Sequence, residues 1–502
     1  MTMNKPSSVT QQGNAQATDA TLAPGRIASA LLVTLLAAGC ASMDGITTSA
    51  SMKSAGSLAL QKSLADLAVS PAAWPAADWW HAFNDPQLDA LMNEALEGSP
   101  TLKIAAARAS KALAAADVSK AALLPRVDGS ASITRERFSD HGLVPPPAAG
   151  TWSTLNQLQL TLDWEIDFWG KNRAAYESAI GTARAAEIDA YAARLALSTN
   201  IALAYAQLQR SYMLLDVAQA TLHDREHIYA LTRDRNNAGI ESRLGLRQAE
   251  AALPATREEI AQIEETIQLT RNELAALLGQ GPDRGLAIAR PANAVLEPVA
   301  LPTNVPAELL GRRPDLVAQR WRVEAARKDI DSAKAEFYPN VNLAAFIGLQ
   351  SLGGATFLSA ANRMIGAGPA VTLPIFDGGR LRGNLAAKDA DYDVAVEQYN
   401  QTLADALREV VDQLASFKSV EEQRVQQRQA LAAAQDAYDL ALMRYREGIG
   451  NYLEVLSVES PLLVQQSLDA ELRARQLALS INLIRALGGG FDDRTLAMAA
   501  AH

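Results

Sequence analysis

Cysteine is all but missing: the one thiol among 502 residues is Cys40. No intramolecular disulfide can form, and no cysteine-based metal site is available. Histidine is scarce too, at His81, His141, His223, His227 and His502. Only His223 and His227 share a metal-compatible spacing, four apart on a predicted helix, and no third ligand accompanies them in sequence. Neither a phosphate-cradling glycine loop nor a nucleophile elbow occurs, so no catalytic residue and no cofactor is expected, and the chain does not read as an enzyme. The net charge of −10 argues against nucleic acid, whose binding needs clustered Lys and Arg. Beyond residue 40 no apolar run approaches the ~20 residues of a membrane helix. If the chain enters a bilayer other than by a lipid, it must do so as β-strands.

What is present begins with an export signal over residues 1–39. Arg26 precedes an apolar run, 27–38, that ends in "LLAAGC". Twelve residues suit a signal core and are too few for a spanning helix. The small residues before Cys40 mark a lipoprotein cleavage site with Cys40 as the acylated first residue; the alternative is an ordinary signal peptide with an incidental cysteine. Ala41, where aspartate is absent, favours passage to the outer membrane.

The mature chain says the same thing twice, over 100–279 and again over 314–488. Pro100 is followed 25 residues on by Pro125, and Pro314 by Pro339 at the same distance. "DFWGKNR" with Gly170 answers "FDGGRLR" with Gly379, and 109 residues beyond each stands Gly279 or Gly488. "RNNAGIESRLGL" at 235–246 aligns with "RYREGIGNYLEV" at 444–455 without a gap. A long period of this kind predicts two copies of one supersecondary unit. Around them lie an N-terminal segment (40–99), a proline-rich linker (280–313) and a tail (489–502), all expected near the middle of the molecule.

Each copy reads as helix, strand, hairpin loop, strand, long helix, tip turn, return helix. Asp85-Pro86 predicts a capped helix start. Strands are predicted at 126–135, 155–166, 340–349 and 365–375. In the second, Leu158, Leu160, Leu162, Trp164 and Ile166 alternate with Gln157, Gln159, Thr161, Asp163 and Glu165. Strict period-2 patterning of this length suits a transmembrane strand with one wet face; a soluble sheet packed on helices is the alternative. From about Lys171 to Asn237 no proline interrupts a helix, and Ile201, Tyr205, Leu208, Tyr212 and Leu215 recur at 4-3-4-3. Tyr399, Leu403, Leu407, Val410, Leu414 and Phe417 recur at 4-4-3-4-3 in the second copy. About 65 such residues would reach roughly 95–100 Å. Tip turns are expected at 238–243 and 447–452, with the two shorter helices of each copy stacked end to end beside the long one. The fold class is therefore mainly α with a small β part. Four strands cannot close a membrane barrel, so several chains must share one. A purely structural coiled-coil lipoprotein would leave the paired strand insertions unexplained.

In order, "WWHAFNDPQLDALMNEAL" (79–96), "LLGRRPDLVAQRWRVEAARKDI" (309–330), "KAEFYPNVNL" (334–343), "LPIFDGGRLRG" (373–383) and "RYREGIGNYLEVL" (444–456) resemble the TolC-like outer-membrane factor family, closest to its NodT-like lipoprotein branch serving RND-type efflux pumps. The resemblance covers essentially the whole mature chain. It implies a homotrimer with a twelve-stranded barrel in outer-membrane lipid, a twelve-helix periplasmic tunnel, and tip-first docking on a periplasmic adaptor and an inner-membrane RND-type pump. The duct would conduct small molecules passively; a type I protein-secretion duct is the alternative. It also implies a gate at the second tip. Glu454 falls on a family acidic position and Ser457 on another, which shifts the acidic ring towards Glu454 and Glu459. Tyr445 matches a bracing aromatic, and Gly448 and Gly450 belong to the turn. Adaptor contacts are expected at Gly239, Ile240, Glu241 and Ser242 in the first tip and at Ile449, Asn451 and Tyr452 in the second, with Gly245 opposite Glu454. "GRRPD" at 311–315 is expected to serve structure, Asp315 meeting the dipole of a helix start.

Overall fold

In a computed structural model, the structure describes residues 42–58, 62, 74–292, 310–353 and 356–493. Cys40 and the signal lie outside them. The helices are α1 (Pro86–Gly98), α2 (Pro100–Ala121), α3 (Lys171–Asn237), α4 (Arg243–Leu277), α5 (Pro282–Leu286), α6 (Pro314–Ala335), α7 (Arg380–Arg446) and α8 (Tyr452–Ala486). The strands are β1 (Arg126–Arg137), β2 (Trp152–Glu165), β3 (Asn340–Leu352) and β4 (Arg363–Thr372). Either half of the chain carries helices of 22, 67 and 35 residues in the same order. A 67-residue helix is about 100 Å long.

The four strands form one antiparallel sheet in sequential order, so β1 and β4 are free edges within the chain. The register places Val127, Leu162, Ala345 and Ala367 in one row, and Gly129, Leu160, Ile347 and Ile365 in the next. One face is thus apolar across all four strands. It is not packed on helices: Val127, Ile133, Leu160, Ile347, Ile365 and Val371 are all exposed. The other face carries Asp128, Gln157, Gln159, Thr161 and Gln350. The strand ends differ from the alternation. β1 runs on to Arg137, β2 begins already at Trp152 and β3 runs on to Leu352, because ladder bonds continue past the alternating stretch. β4 stops at Thr372, short of Ile375, because Thr372 faces Asn340, the first residue of β3, and no partner strand extends further.

Below the sheet, α2 and α4 both lie against α3, while α6 packs on α3 and α7, and α8 on α7 and α3. The shorter helices meet end to end at two glycines. A Cβ on Gly279 (φ +76°) would lie 2.4 Å from Pro100 Cδ, and one on Gly488 (φ +91°) 2.0 Å from Arg312 O. Only glycine fits such junctions. Helix axes also approach closely at Gly181, where an added Cβ would sit 3.1 Å from that of Ala325. Around these junctions Ile201, Tyr205 and Leu208 bury against Trp79, Trp80, Leu88 and Leu274. Asp85 caps α1 through Gln87 N (2.9 Å) and Leu88 N (3.3 Å), and accepts from Tyr205 Oη at 2.6 Å. In "GRRPD", Arg313 pairs with both Asp315 (2.6 Å) and Glu409 (2.8 Å) and donates to Ala486 O, tying the start of α6 to α7 and α8. From Ser42 to Lys53 the N-terminal segment runs along α7, bonded to Arg382, Asp393 and Asn400.

Candidate functional site at the hairpin tips

At the end far from the sheet, α3 turns into α4 and α7 into α8 through the same backbone device. Gly239 (φ +74°) and Gly448 (φ +79°) adopt the left-handed conformation that ends a helix. Ile240 N and Glu241 N then bond Arg235 O, as Ile449 N and Gly450 N bond Arg444 O. Ser242 Oγ caps α4 by accepting from Gly245 N at 3.0 Å, and Asn451 Oδ1 caps α8 by accepting from Glu454 N at 3.0 Å. Both turns are held tightly, and each projects bare hydrocarbon: Ile240 and Leu244 on the first tip, Ile449 and Leu453 on the second, all more than half exposed.

Between the two hairpins lies a buried cluster of Ile228, Ala249, Tyr438, Tyr445, Tyr452, Val455 and Leu462. Tyr445 is wholly enclosed. Its hydroxyl shares a 2.8 Å hydrogen bond with Thr232 and donates at 3.4 Å to Glu241. Arg235 donates to Tyr445 O at 2.8 Å, and its guanidinium lies 4.8 Å from the ring centre. Burial pushes the Tyr445 phenol up, and the Tyr452 phenol up to about 12, with the Glu459 charge adding to burial at Tyr452.

The residues expected at an acidic ring part company. Glu459 is 5 % exposed and forms a two-point ion pair with Arg225 of α3, at 2.9 and 3.2 Å. Its charge is therefore spent inside the chain and not displayed in a ring. Glu454 does stand exposed beyond its cap, with Asn451 Nδ2 at 3.2 Å and Arg444 Nε at 3.9 Å. Ser457 donates to Glu454 O within its own helix, at 2.8 Å. Gly245 is crowded by Glu241, whose Oε1 accepts from Ser242 N. A side chain at Gly450 would meet Glu454 Oε2 at 3.0 Å and Tyr445 N at 3.3 Å, which explains a glycine there beside the one that turns the chain.

Sequence reasoning missed Arg225, Thr232, Arg235 and Thr256. A signal existed. The stripe of α3 continues past Leu215, at 3-3-4-3-4-3, through Ala218, Thr221, Arg225, Ile228, Thr232 and Arg235. It turns polar near the tip, so a purely apolar pattern search loses it. Nothing in the sequence pairs Arg225 with Glu459, 234 positions away.

The family model described as outer membrane efflux protein matches residues 91–280 and 305–489. Fusaric acid resistance protein FusA of Burkholderia cepacia is 42% identical over 370 residues, 73% of this chain and 70% of that protein. Multidrug resistance outer membrane protein MdtP of Escherichia coli K12 is 33% identical over 442 residues, 85% and 89% of the two. Among solved structures, the outer membrane protein VceC of Vibrio cholerae superposes with a TM-score of 0.79 at 39% identity, over 84% of this chain and all of that one. The outer-membrane channel OprN superposes with a TM-score of 0.80 at 28% identity, over 89% and 97%.

Proposed function

The chain belongs to the outer membrane efflux protein family and is an outer-membrane efflux duct, and from that premise we propose how the duct is assembled and what it serves. Three copies form a homotrimer whose sheets join into one twelve-stranded barrel and whose helical hairpins join into one periplasmic tunnel. A single observation carries this reading: a four-stranded sheet with an exposed face that is apolar over its middle rows and two open edges, set at one end of helices about 100 Å long. Lipid tolerates no open edge. Two copies would give eight strands with a filled interior, whereas twelve leave a lumen. Residues 100–279 and 314–488 act as two copies of one unit, which their matching helix lengths support.

Cys40 carries the lipid anchor. The apolar projections Ile240, Leu244, Ile449 and Leu453, framed by Gly239, Glu241, Ser242 and Asn451, dock a periplasmic adaptor that links the duct to an inner-membrane pump of RND type; Tyr452, expected among these contacts, is buried in the cluster between the hairpins and serves packing instead. Tyr445, braced by Thr232 and Arg235, holds the two hairpins of a protomer together at the entrance. Glu454 from each copy supplies negative charge there, which attracts cations. The cargo is small molecules, as the names of the fusaric acid and multidrug resistance relatives support. The family is one of channels, and the duct contributes passage, not chemistry.

The test is a single cysteine on the second tip. Ile449→Cys suits it because Ile449 is 69% exposed, whereas a side chain at Gly450 would crowd Glu454 and the backbone of Tyr445. A thiol crosslinker in cells is expected to join it to a periplasmic adaptor. Labelling by a membrane-impermeant reagent from outside intact cells would place the tip on the wrong side and overturn the reading.

A further inference from the structure

On α3, whose last residue is Asn237, His223 and His227 stand one helical turn apart on the same exposed face. Their Nε2 atoms are 3.1 Å apart while the ring centres are 4.4 Å apart, so the nitrogens lean towards one another. We propose that this pair is a two-point chelate for a borderline divalent transition cation, Cu²⁺, Ni²⁺ or Zn²⁺. The distance suits it. A cation roughly 2.0–2.1 Å from each nitrogen, the ordinary metal–imidazole length, would see them about 95–100° apart, between square-planar and tetrahedral angles.

The neighbours leave the site free. Arg225, between the two histidines in sequence, points into the protein to Glu459. Glu226 is taken up by Arg257 of α4 at 2.9 Å. Asp224, exposed beside His223, adds negative charge to the same surface. Among the described residues no third protein ligand joins the pair, so water completes the coordination. Backbone helicity fixes both histidines in advance, so the second nitrogen binds as an intramolecular partner of the first. Imidazole nitrogens select borderline cations and leave Mg²⁺ and Ca²⁺ to oxygen ligands. Whatever the number of chains in the assembly, the pair lies within one helix, and the inference does not depend on the barrel or its partners.

Isothermal titration of the untagged, full-length protein in detergent tests it. One cation per chain is expected, with Cu²⁺ bound more tightly than Ni²⁺ or Zn²⁺ and neither Mg²⁺ nor Ca²⁺ competing. His223→Gln and His227→Gln, both at exposed positions, each remove one of two ligands and are expected to weaken binding about a hundredfold. Electron paramagnetic resonance of the Cu²⁺ form is expected to count two equatorial imidazole nitrogens, and one in either variant. Amide exchange over 219–231 is expected to slow on cation addition in the parent only, because binding stabilises that stretch of helix. Equal binding by the parent and the double variant, or a parent spectrum with a single nitrogen, would mean that the pair is only an imidazole–imidazole hydrogen bond.

Discussion

Arg225 shares its guanidinium among three helices: it lies on α3, pairs with Glu459 of α8, and donates to Thr256 Oγ1 of α4 at 2.6 Å. The side chains of the pair are only 16% and 7% exposed, so removing one partner strands the other's charge away from water. Glu459→Gln is expected to cost about 3 kcal/mol, read as a lower urea midpoint of the detergent-solubilised protein, while Arg225→Leu combined with Glu459→Leu recovers most of it. The tyrosines beside the pair give a second handle. An unfolded tyrosine ionises near pH 10, whereas burial moves Tyr452 up to about 12. Between those values the folded chain holds a proton that the unfolded chain has lost. Stability from this group is therefore full below pH 10 and falls as the pH rises towards 12. Phenolate absorbance is expected to show late-ionising tyrosines, one fewer in Tyr452→Phe than in the parent, and an early, complete titration would contradict the burial argument. The turning glycines at these tips were legible in sequence, because turn chemistry is local: Gly239 and Gly448 announce themselves within a few residues, whereas Ser242 and Asn451, expected as adaptor contacts, prove to be the helix caps. The fate of Glu459 was not legible, since only the packing of α3 against α8 brings Arg225 to it.

At the scale of elements, period and punctuation carried most of the fold. Strict alternation in β2 shows its two faces without reference to any neighbour, and the register then puts the apolar sides of all four strands together. Strand ends were less legible, because pairing, not hydropathy, decides where a ladder stops. The helices hold a different lesson. Pro254 and Pro461 lie inside α4 and α8, yet both helices continue through them. Each proline forfeits one backbone bond, and packing against α3 and α7 offsets that loss. The faces of the sheet make a direct prediction. Leu160→Arg puts a cation on the apolar face and, at a lipid-facing position, is expected to cost about 2–4 kcal/mol. Gln159→Arg, one residue away on the polar face, is expected to be nearly neutral. Denaturant midpoints of the two variants refolded into vesicles check the contrast. Equal losses at 159 and 160 would mean that neither face meets lipid.

The whole molecule is unfinished as a single chain, and the edges of its sheet say how. β1 and β4 are separated by two strands, roughly 14 Å at the ordinary spacing. A disulfide requires Cα atoms within about 7 Å, so cysteines placed on the two edges cannot bond within one chain. They can bond only where β4 of one copy meets β1 of the next. Ser130→Cys on β1, combined in turn with Gly368→Cys, Ala370→Cys or Thr372→Cys on β4, scans the unknown register along the polar face, with the parent chain carrying only Cys40 as the blank. One of these pairs is expected to give, on oxidation, a ladder of monomer, dimer and trimer that ends there. The last rung counts the strands. A ladder ending at dimer would mean eight strands and an interior filled by side chains, which cannot serve as a duct. The absence of any ladder would leave the edges unpaired, a state that lipid does not permit. Three rungs would give twelve strands and a lumen continuous with the tunnel below, and the apolar face, exposed in the isolated chain, would then lie wholly against lipid.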